Sequence, residues 1–177
     1  MKELRTDMPI RLTMRPAVRE DVPFLTRIYN QAIAAGGCTC DTEQVNEENR
    51  RAWLYEHERT PQNPILICEA DGEAVGYAYL SAYRPGRKAV SHVAEISYYL
   101  DFSNHGKGIG SFMLNEMVKI AKALHITVLI AILLDGNQAS IALLKKYGFH
   151  EWGRLPQIVQ FENSTVDHLI YGRKLSV

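Results

Sequence analysis

Residues 97–111 read Ser-Tyr-Tyr-Leu-Asp-Phe-Ser-Asn-His-Gly-Lys-Gly-Ile-Gly-Ser, and no other stretch restricts the fold as strongly. A strand-like run ends at Leu100, a short polar loop follows, and Gly106, Gly108 and Gly110 stand at every second position before an amphipathic helix. Glycines so placed let successive backbone N–H groups turn toward one point without Cβ clashes. The positive end of the following helix points the same way. Strand, glycine loop and helix together make an anion cradle suited to phosphate. Two familiar phosphate loops fail on spacing. The dinucleotide fingerprint needs a glycine at position 111, which is Ser111. The other loop needs Gly-Lys-Ser/Thr, and Lys107 is followed by Gly108. A turn that only caps the strand and starts the helix stays open at this point.

The rest of the chain supplies the frame. Residues 10–14 read as a first strand ended by Arg15-Pro16. A helix opens at Glu20-Asp21-Val22-Pro23, runs through about position 34 and is stopped by Gly36 and Gly37. A second helix is expected over 47–57, with Trp53 and Leu54 as apolar anchors. Residues 65–68 form a strand, Asp71-Gly72 a hairpin turn, and 74–83 the returning strand. In the strand 92–100, alternation puts Glu95, Ser97 and Tyr99 on one face, and Ala94, Ile96, Tyr98 and Leu100 on the other. Helical spacing of Ile109, Phe112, Met113, Met117, Ile120, Ala121 and Leu124 marks the best helix, over 109–124. Residues 127–134 are apolar without alternation, as in a strand buried on both faces beside a parallel neighbour. A short helix over 138–147 ends at Gly148, and 149–155 and 167–175 complete the sheet. The order is mixed α/β.

Composition narrows the function. A chain of 177 residues is most simply one domain, spanning 1–177. Lys plus Arg number 20 and Asp plus Glu number 20, which argues against a dedicated nucleic-acid binder. The N-terminal residues show no apolar signal region. The longest apolar run, 126–134, is too short to span a bilayer, so no membrane association is expected. Three cysteines without a framework pattern, Cys38, Cys40 and Cys68, read as reduced thiols of a cytoplasmic protein. No further ligands at metal spacing accompany Cys38 and Cys40, so no metal is expected.

The order of elements and three motifs resemble the GNAT superfamily of acyl-CoA-dependent N-acetyltransferases. The motifs are His105-Gly106-Lys107-Gly108-Ile109-Gly110 before a long helix, Asn137-Gln138-Ala139-Ser140 leading to Tyr147-Gly148-Phe149, and Arg15-Pro16-Ala17 followed by Glu20-Asp21. Within that superfamily the chain is most similar to the phosphinothricin and methionine sulfoximine acetyltransferase branch. Ile28-Tyr29-Asn30-Gln31-Ala32, Arg51-Ala52-Trp53, Gly76-Tyr77-Ala78-Tyr79, Tyr83-Arg84-Pro85, Ala94-Glu95-Ile96-Ser97-Tyr98-Tyr99 and Leu155-Pro156-Gln157 carry that likeness.

The resemblance implies a mostly antiparallel twisted sheet, splayed at the 92–100 and 127–134 strands and flanked by helices on both faces. It implies acetyl-CoA as co-substrate, a small-molecule amine as acceptor, most simply an amino acid or analogue, and a homodimer. Cofactor contacts are expected from Tyr98, Tyr99, Leu100, His105, Gly106, Lys107, Gly108, Ile109, Gly110, Asn137 and Ser140. Glu95 matches the branch's proposed general base, because an amine must lose a proton before it attacks a thioester. Substrate contacts fall on Cys40, Tyr83, Arg84 and Glu95. Arg84 offers a planar fork for an acceptor carboxylate.

The departures matter as much as the matches. His105 stands where the loop usually begins with Arg or Gln. Leu144 stands where relatives carry an acid. Cys40 replaces an aromatic, and of a Lys-Phe-Gly-Arg-Trp-Leu-Asp run near the end only Asp167 is kept. Two other readings stay open: acetylation of a protein N-terminus or lysine, and a catalytically silent CoA-binding sensor encouraged by Leu144.

Overall fold

The computed structural model describes residues 10–176. Its elements are β1 (Leu12–Pro16), α1 (Val22–Ala35), α2 (Glu47–Glu58), β2 (Ile65–Ala70), β3 (Glu73–Ala82), β4 (Val93–Leu100), α3 (Ile109–Ala123), β5 (Val128–Leu134), α4 (Gln138–Lys146), β6 (His150–Phe161) and β7 (Ser164–Lys174). One seven-stranded sheet runs β1-β2-β3-β4-β5-β7-β6. Every neighbouring pair is antiparallel except β4 and β5, which are parallel and joined by the α3 crossover.

The two faces are covered by different helices, each for a reason written in its apolar stripe. Ile109, Met113, Leu114, Met117, Val118 and Ala121 of α3, with Ile141 and Leu144 of α4, pack on Leu80, Ala94, Ile96, Leu129 and Ala131. That stripe is wider than the periodicity predicts, because Leu114 and Val118 are also buried. On the opposite face, Val22, Leu25 and Ile28 of α1 and Leu54 of α2 cover Ile65, Ile67 and Tyr77. The Asn46 side chain caps α2 by accepting from Asn49 N at 2.8 Å.

The parallel seam is short. Only Val93, Ala94 and Glu95 of β4 pair with Val128, Leu129 and Ile130 of β5. Beyond Glu95 the two strands diverge, while β4 stays paired to β3 through Leu100 and β5 to β7 through Leu134. The splay expected at these two strands is therefore present. It leaves one edge of β4, from position 96 on, without a sheet partner.

Two expectations need correction. The first strand runs to Pro16 rather than ending before it, with Pro16 opposite Leu66. Proline is tolerated there because β1 is an edge strand. The last hairpin is far longer than 149–155 and 167–175, with Phe161 opposite Ser164 across a two-residue turn. Pro156 and the polar run 162–165 read as loop in sequence. The strand survives them through an irregularity between Leu155 and Val159, where Gln157 takes φ 52°. Asp167 pins that bulge: its carboxylate accepts from Gln157 N at 3.0 Å and from Arg154 Nη1 at 2.8 Å. The one residue kept from the family's terminal run thus holds backbone shape. Among the described residues, no helix is long and apolar enough to cross a membrane.

Candidate active site

The V between β4 and β5 opens into a cleft of about 350 Å³. Tyr98, Tyr99, Leu100, His105, Gly106, Gly108, Gly110, Asn137 and Ser140, all expected as cofactor contacts, line it. Its narrow inner end lies between Ile96 to Tyr99 of β4 and Ala131 to Leu133 of β5, with Asn137, Ser140 and Leu144 on the wall.

The loop at the mouth is shaped by main chain. Gly106 and Gly108 take φ of 76° and 78°, in the left-handed region. Gly108 is the N-cap of α3, and a Cβ on either glycine would project into open space. Gly110 serves packing instead, since a Cβ there would stand 3.3 Å from Leu143 of α4. Asp101 launches the loop, accepting from Ser103 N at 3.1 Å and pairing with Arg27 of α1 at 2.8 Å. That ion pair holds the Asp101 carboxyl down at about 2.

Other expected contacts are placed differently. The Lys107 ammonium donates to Asn104 Oδ1 at 2.9 Å and lies outside the cleft lining. Ile109 buries its side chain in the core at 1% exposure, leaving only its backbone for a ligand. Asn137 caps α4, its Oδ1 accepting from Ser140 N at 3.2 Å, which leaves the amide nitrogen free toward the cleft it lines. The Tyr98 hydroxyl is buried in the same region without a hydrogen-bond partner. Leu144 is fully buried and carries no acid to the inner end.

Glu95 occupies the last paired rung before the splay, between Ser81 of β3 and Ile130 of β5. It is half-buried, and burial raises its pKa above the ordinary 4.5. Its face of the sheet carries an aromatic cluster. Tyr99 stacks on Tyr77 at 5.2 Å and meets Tyr29 edge-on at 5.3 Å, while Trp53 meets Tyr79 at 5.1 Å. Tyr83 and Arg84 lie exposed on the connection after β3.

Two placements escape sequence reasoning. Cys38 lines the cleft at both its outer and inner parts. The exposed Cys40 thiol lies 3.9 Å from His168 Nε2 of β7, a partner 128 residues away. Burial pushes the Cys40 thiol up and the His168 imidazole down, so both favour their neutral forms. Among the described residues, no group of three or more His, Cys, Asp or Glu is placed to hold a metal ion.

A family model described as an acetyltransferase (GNAT) domain matches residues 11–150. The chain belongs to the GNAT acetyltransferases. Relatives of this GNAT chain share nearly its full length. YwnH of Bacillus subtilis is 36% identical over 166 residues, covering 93% of this chain and 100% of that protein. The L-methionine sulfoximine/L-methionine sulfone acetyltransferase of Pseudomonas paraeruginosa is 31% identical over 148 residues, covering 84% of this chain and 86% of its own. Two solved structures are similar throughout. The ribosomal-protein-alanine N-acetyltransferase of Brucella melitensis has a TM-score of 0.86 at 36% identity, covering 92% of this chain and 99% of that one. The phosphinothricin acetyltransferase of Sinorhizobium meliloti, solved in complex with AcCoA, has a TM-score of 0.87 at 29% identity, covering 96% and 90%.

Proposed function

We propose that this enzyme transfers an acetyl group from acetyl-CoA directly to the primary amine of a small amino acid or amino-acid analogue. The observation that carries the reading is the position of Glu95. A half-buried carboxylate stands on the last rung before a cleft whose mouth is a glycine-built anion cradle.

The donor fits the residues present. Amides turned inward by Gly106 and Gly108, with the N-terminus of α3 behind them, suit the pyrophosphate of CoA. The unpaired edge of β4 and the free amide of Asn137 suit an arm rich in amides, which would satisfy main-chain groups that the splay leaves open. Ser140 and the Tyr98 hydroxyl stand on the same wall. Bound acetyl-CoA supplies an activated thioester carbonyl.

The protein's own tasks are then few. Glu95 accepts the amine's proton, directly or through water, and its raised pKa suits that role. A backbone N–H near Tyr99 or Leu100 donates to the carbonyl oxygen as charge develops there. Arg84 receives the acceptor's carboxylate, and Tyr83 and Cys40 border the acceptor. Holding both substrates together makes a covalent enzyme adduct unnecessary. The neutral Cys40–His168 pair supports that, since neither group is poised as an activated nucleophile. The relatives named for methionine sulfoximine and phosphinothricin support an amino-acid acceptor.

We place the enzyme in the cytoplasm as one domain and a homodimer. Trp152, Leu155 and Ile158 are exposed on the edge strand β6 and give a dimer a surface. A second acceptor class has one specific support, the similarity to an enzyme named for ribosomal-protein alanine. Thiol release from acetyl-CoA, measured against amino acids, methionine sulfoximine, polyamines and short peptides, separates the readings. Turnover of free amino acids is expected. Turnover of peptides alone selects the protein acceptor, and CoA binding without turnover of any amine selects a sensor.

A further inference from the structure

The chain's three thiols stand in three settings, and one of them faces the cleft. Cys68 of β2 is 0% exposed within the core. Cys40 is exposed and lies outside the cleft lining. Cys38 is half-buried and lines both the outer cleft and its narrow inner end. Main chain puts it there: α1 ends at Ala35, and the chain reverses through Gly36 and Gly37, at φ 69° and 73°. Burial pushes the Cys38 thiol up, so at neutral pH little of it is thiolate. A thiol in that state exchanges slowly with small disulfides and gains most from a partner held beside it.

A second feature of the same space comes from β4. Tyr98 lines the same two parts of the cleft, and its hydroxyl is buried with no hydrogen-bond partner. Such an orphan calls for a ligand atom. Ser140 is the polar neighbour that acts on this phenol, and it too lines the cleft. The two observations are independent, since Cys38 reaches the cleft from the loop after α1 and Tyr98 from the sheet. Both mark the inner end as a place where a polar ligand terminates. On the donor reading above, the ligand that runs inward from the glycine cradle terminates in sulfur, as a thioester before transfer and a thiol after it.

We propose that Cys38 is a site of reversible thiolation by CoA, at which oxidised CoA forms a mixed disulfide that blocks the donor cleft. This rests on the acetyl-CoA reading given above. The co-reactant is the symmetric disulfide of CoA, with one half held by the cradle. Cys38 gives its proton to solvent, and its sulfur electron pair attacks the sulfur of the held half. The S–S bond of the CoA disulfide breaks, and the other half leaves as a thiolate and takes up a proton. One disulfide is exchanged for another, so no further oxidant is needed. The competing account is that Cys38 is an ordinary loop thiol. It would then react no faster with CoA disulfide than with glutathione disulfide.

The reduced full-length protein, incubated with CoA disulfide or with glutathione disulfide and followed by intact mass and peptide mapping, decides between them. One CoA should attach at Cys38 about tenfold or more faster than glutathione does, because the cradle raises the local concentration of the reagent. Exposed Cys40 should show no such preference, and buried Cys68 should stay free while the protein is folded. Saturating acetyl-CoA should slow the labelling of Cys38 by about tenfold or more and leave that of Cys40 within about twofold. The labelled protein should fail to bind acetyl-CoA by calorimetry until dithiothreitol removes the label. A Cys38 label that forms no faster with CoA disulfide than with glutathione disulfide, or that acetyl-CoA does not slow, overturns the proposal. A label confined to Cys40 does the same. In each case, acetyl-CoA binding by the unlabelled protein leaves the donor reading intact. A protein that binds no acetyl-CoA removes both.

Discussion

On the proposed function, the donor half of the cleft and the acceptor half are built by different means. The donor half is main chain. Left-handed glycines at 106 and 108, the open edge of β4 and the start of α4 set its shape, and most of it comes from two short segments. The acceptor half is side chains. Cys40 comes from the loop after α1, Tyr83 and Arg84 from the connection after β3, and Glu95 from β4, beside the aromatic rings of Tyr29, Trp53 and Tyr79. A ligand common to many relatives can be held by backbone, which tolerates change in neighbouring side chains. An acceptor that differs between relatives needs a surface that can be rewritten residue by residue. Glu95 stands on the last paired rung of β4 and β5, just before the cleft opens.

The strongest way to separate the halves is therefore Glu95→Gln. The variant should lose about a hundredfold or more in kcat, the usual contribution of a positioned base. Its affinity for acetyl-CoA, by calorimetry, should stay within about twofold of wild type. The pH profile adds a sign. Burial raises the Glu95 pKa above 4.5, so the base is lost as pH falls through that raised value. The acid limb of kcat/KM should lie above the ordinary carboxylate range in wild type and be absent in the variant. An unaltered rate removes Glu95 from the chemistry.

The next effect belongs to the donor half alone. Gly108 has φ 78°, and a side chain there costs on the order of 1–3 kcal/mol in backbone strain besides filling the cradle. Gly108→Val should lower the melting temperature through that strain and, by obstructing the cradle, weaken CoA binding by about tenfold or more in the protein that remains folded. An affinity within about twofold of wild type would mean that the loop does not hold the pyrophosphate.

The same contrast explains what was legible in the sequence. The glycine loop, the Asp71-Gly72 turn and the α3 stripe are local patterns, so spacing alone places them. Glu95 stands out in the sequence because a charged residue interrupts a strand of apolar and small residues, and the family resemblance is what marks it as the proposed base. The placement of Arg50 was not legible, because Asn49-Arg50-Arg51 reads as a solvated helix face. Only the packing of α2 against α1 brings that guanidinium over Tyr29, beside Trp53 of its own helix. The Cys40–His168 contact spans 128 residues and depends on how the long last hairpin returns. That hairpin was itself foreshortened in the sequence, because Pro156 and a polar run hide a strand that continues through a bulge.

The smallest expected effect tests whether the halves are mechanically joined. Arg27 of α1 pairs with Asp101 at 2.8 Å, and Phe102 N donates to Gln31 Oε1 of α1 at 3.2 Å. Both contacts tie the approach to the glycine loop to α1, which lines the same cleft through Ile28 and Ala32. Arg27 is 55% exposed, so solvent and salt screen the pair, and Arg27→Ala should cost only about 0.5 kcal/mol at pH 7. The Asp101 carboxyl is held down at about 2, below its ordinary 3.8. The pair's contribution is thus full above the ordinary value and lost as pH falls toward 2. Wild type and variant should differ slightly in melting temperature at neutral pH and converge in acid or in high salt. If the variant instead loses CoA affinity by more than about threefold, the tie positions the loop as well as stabilising it. The main-chain cradle would then depend on a side chain of α1.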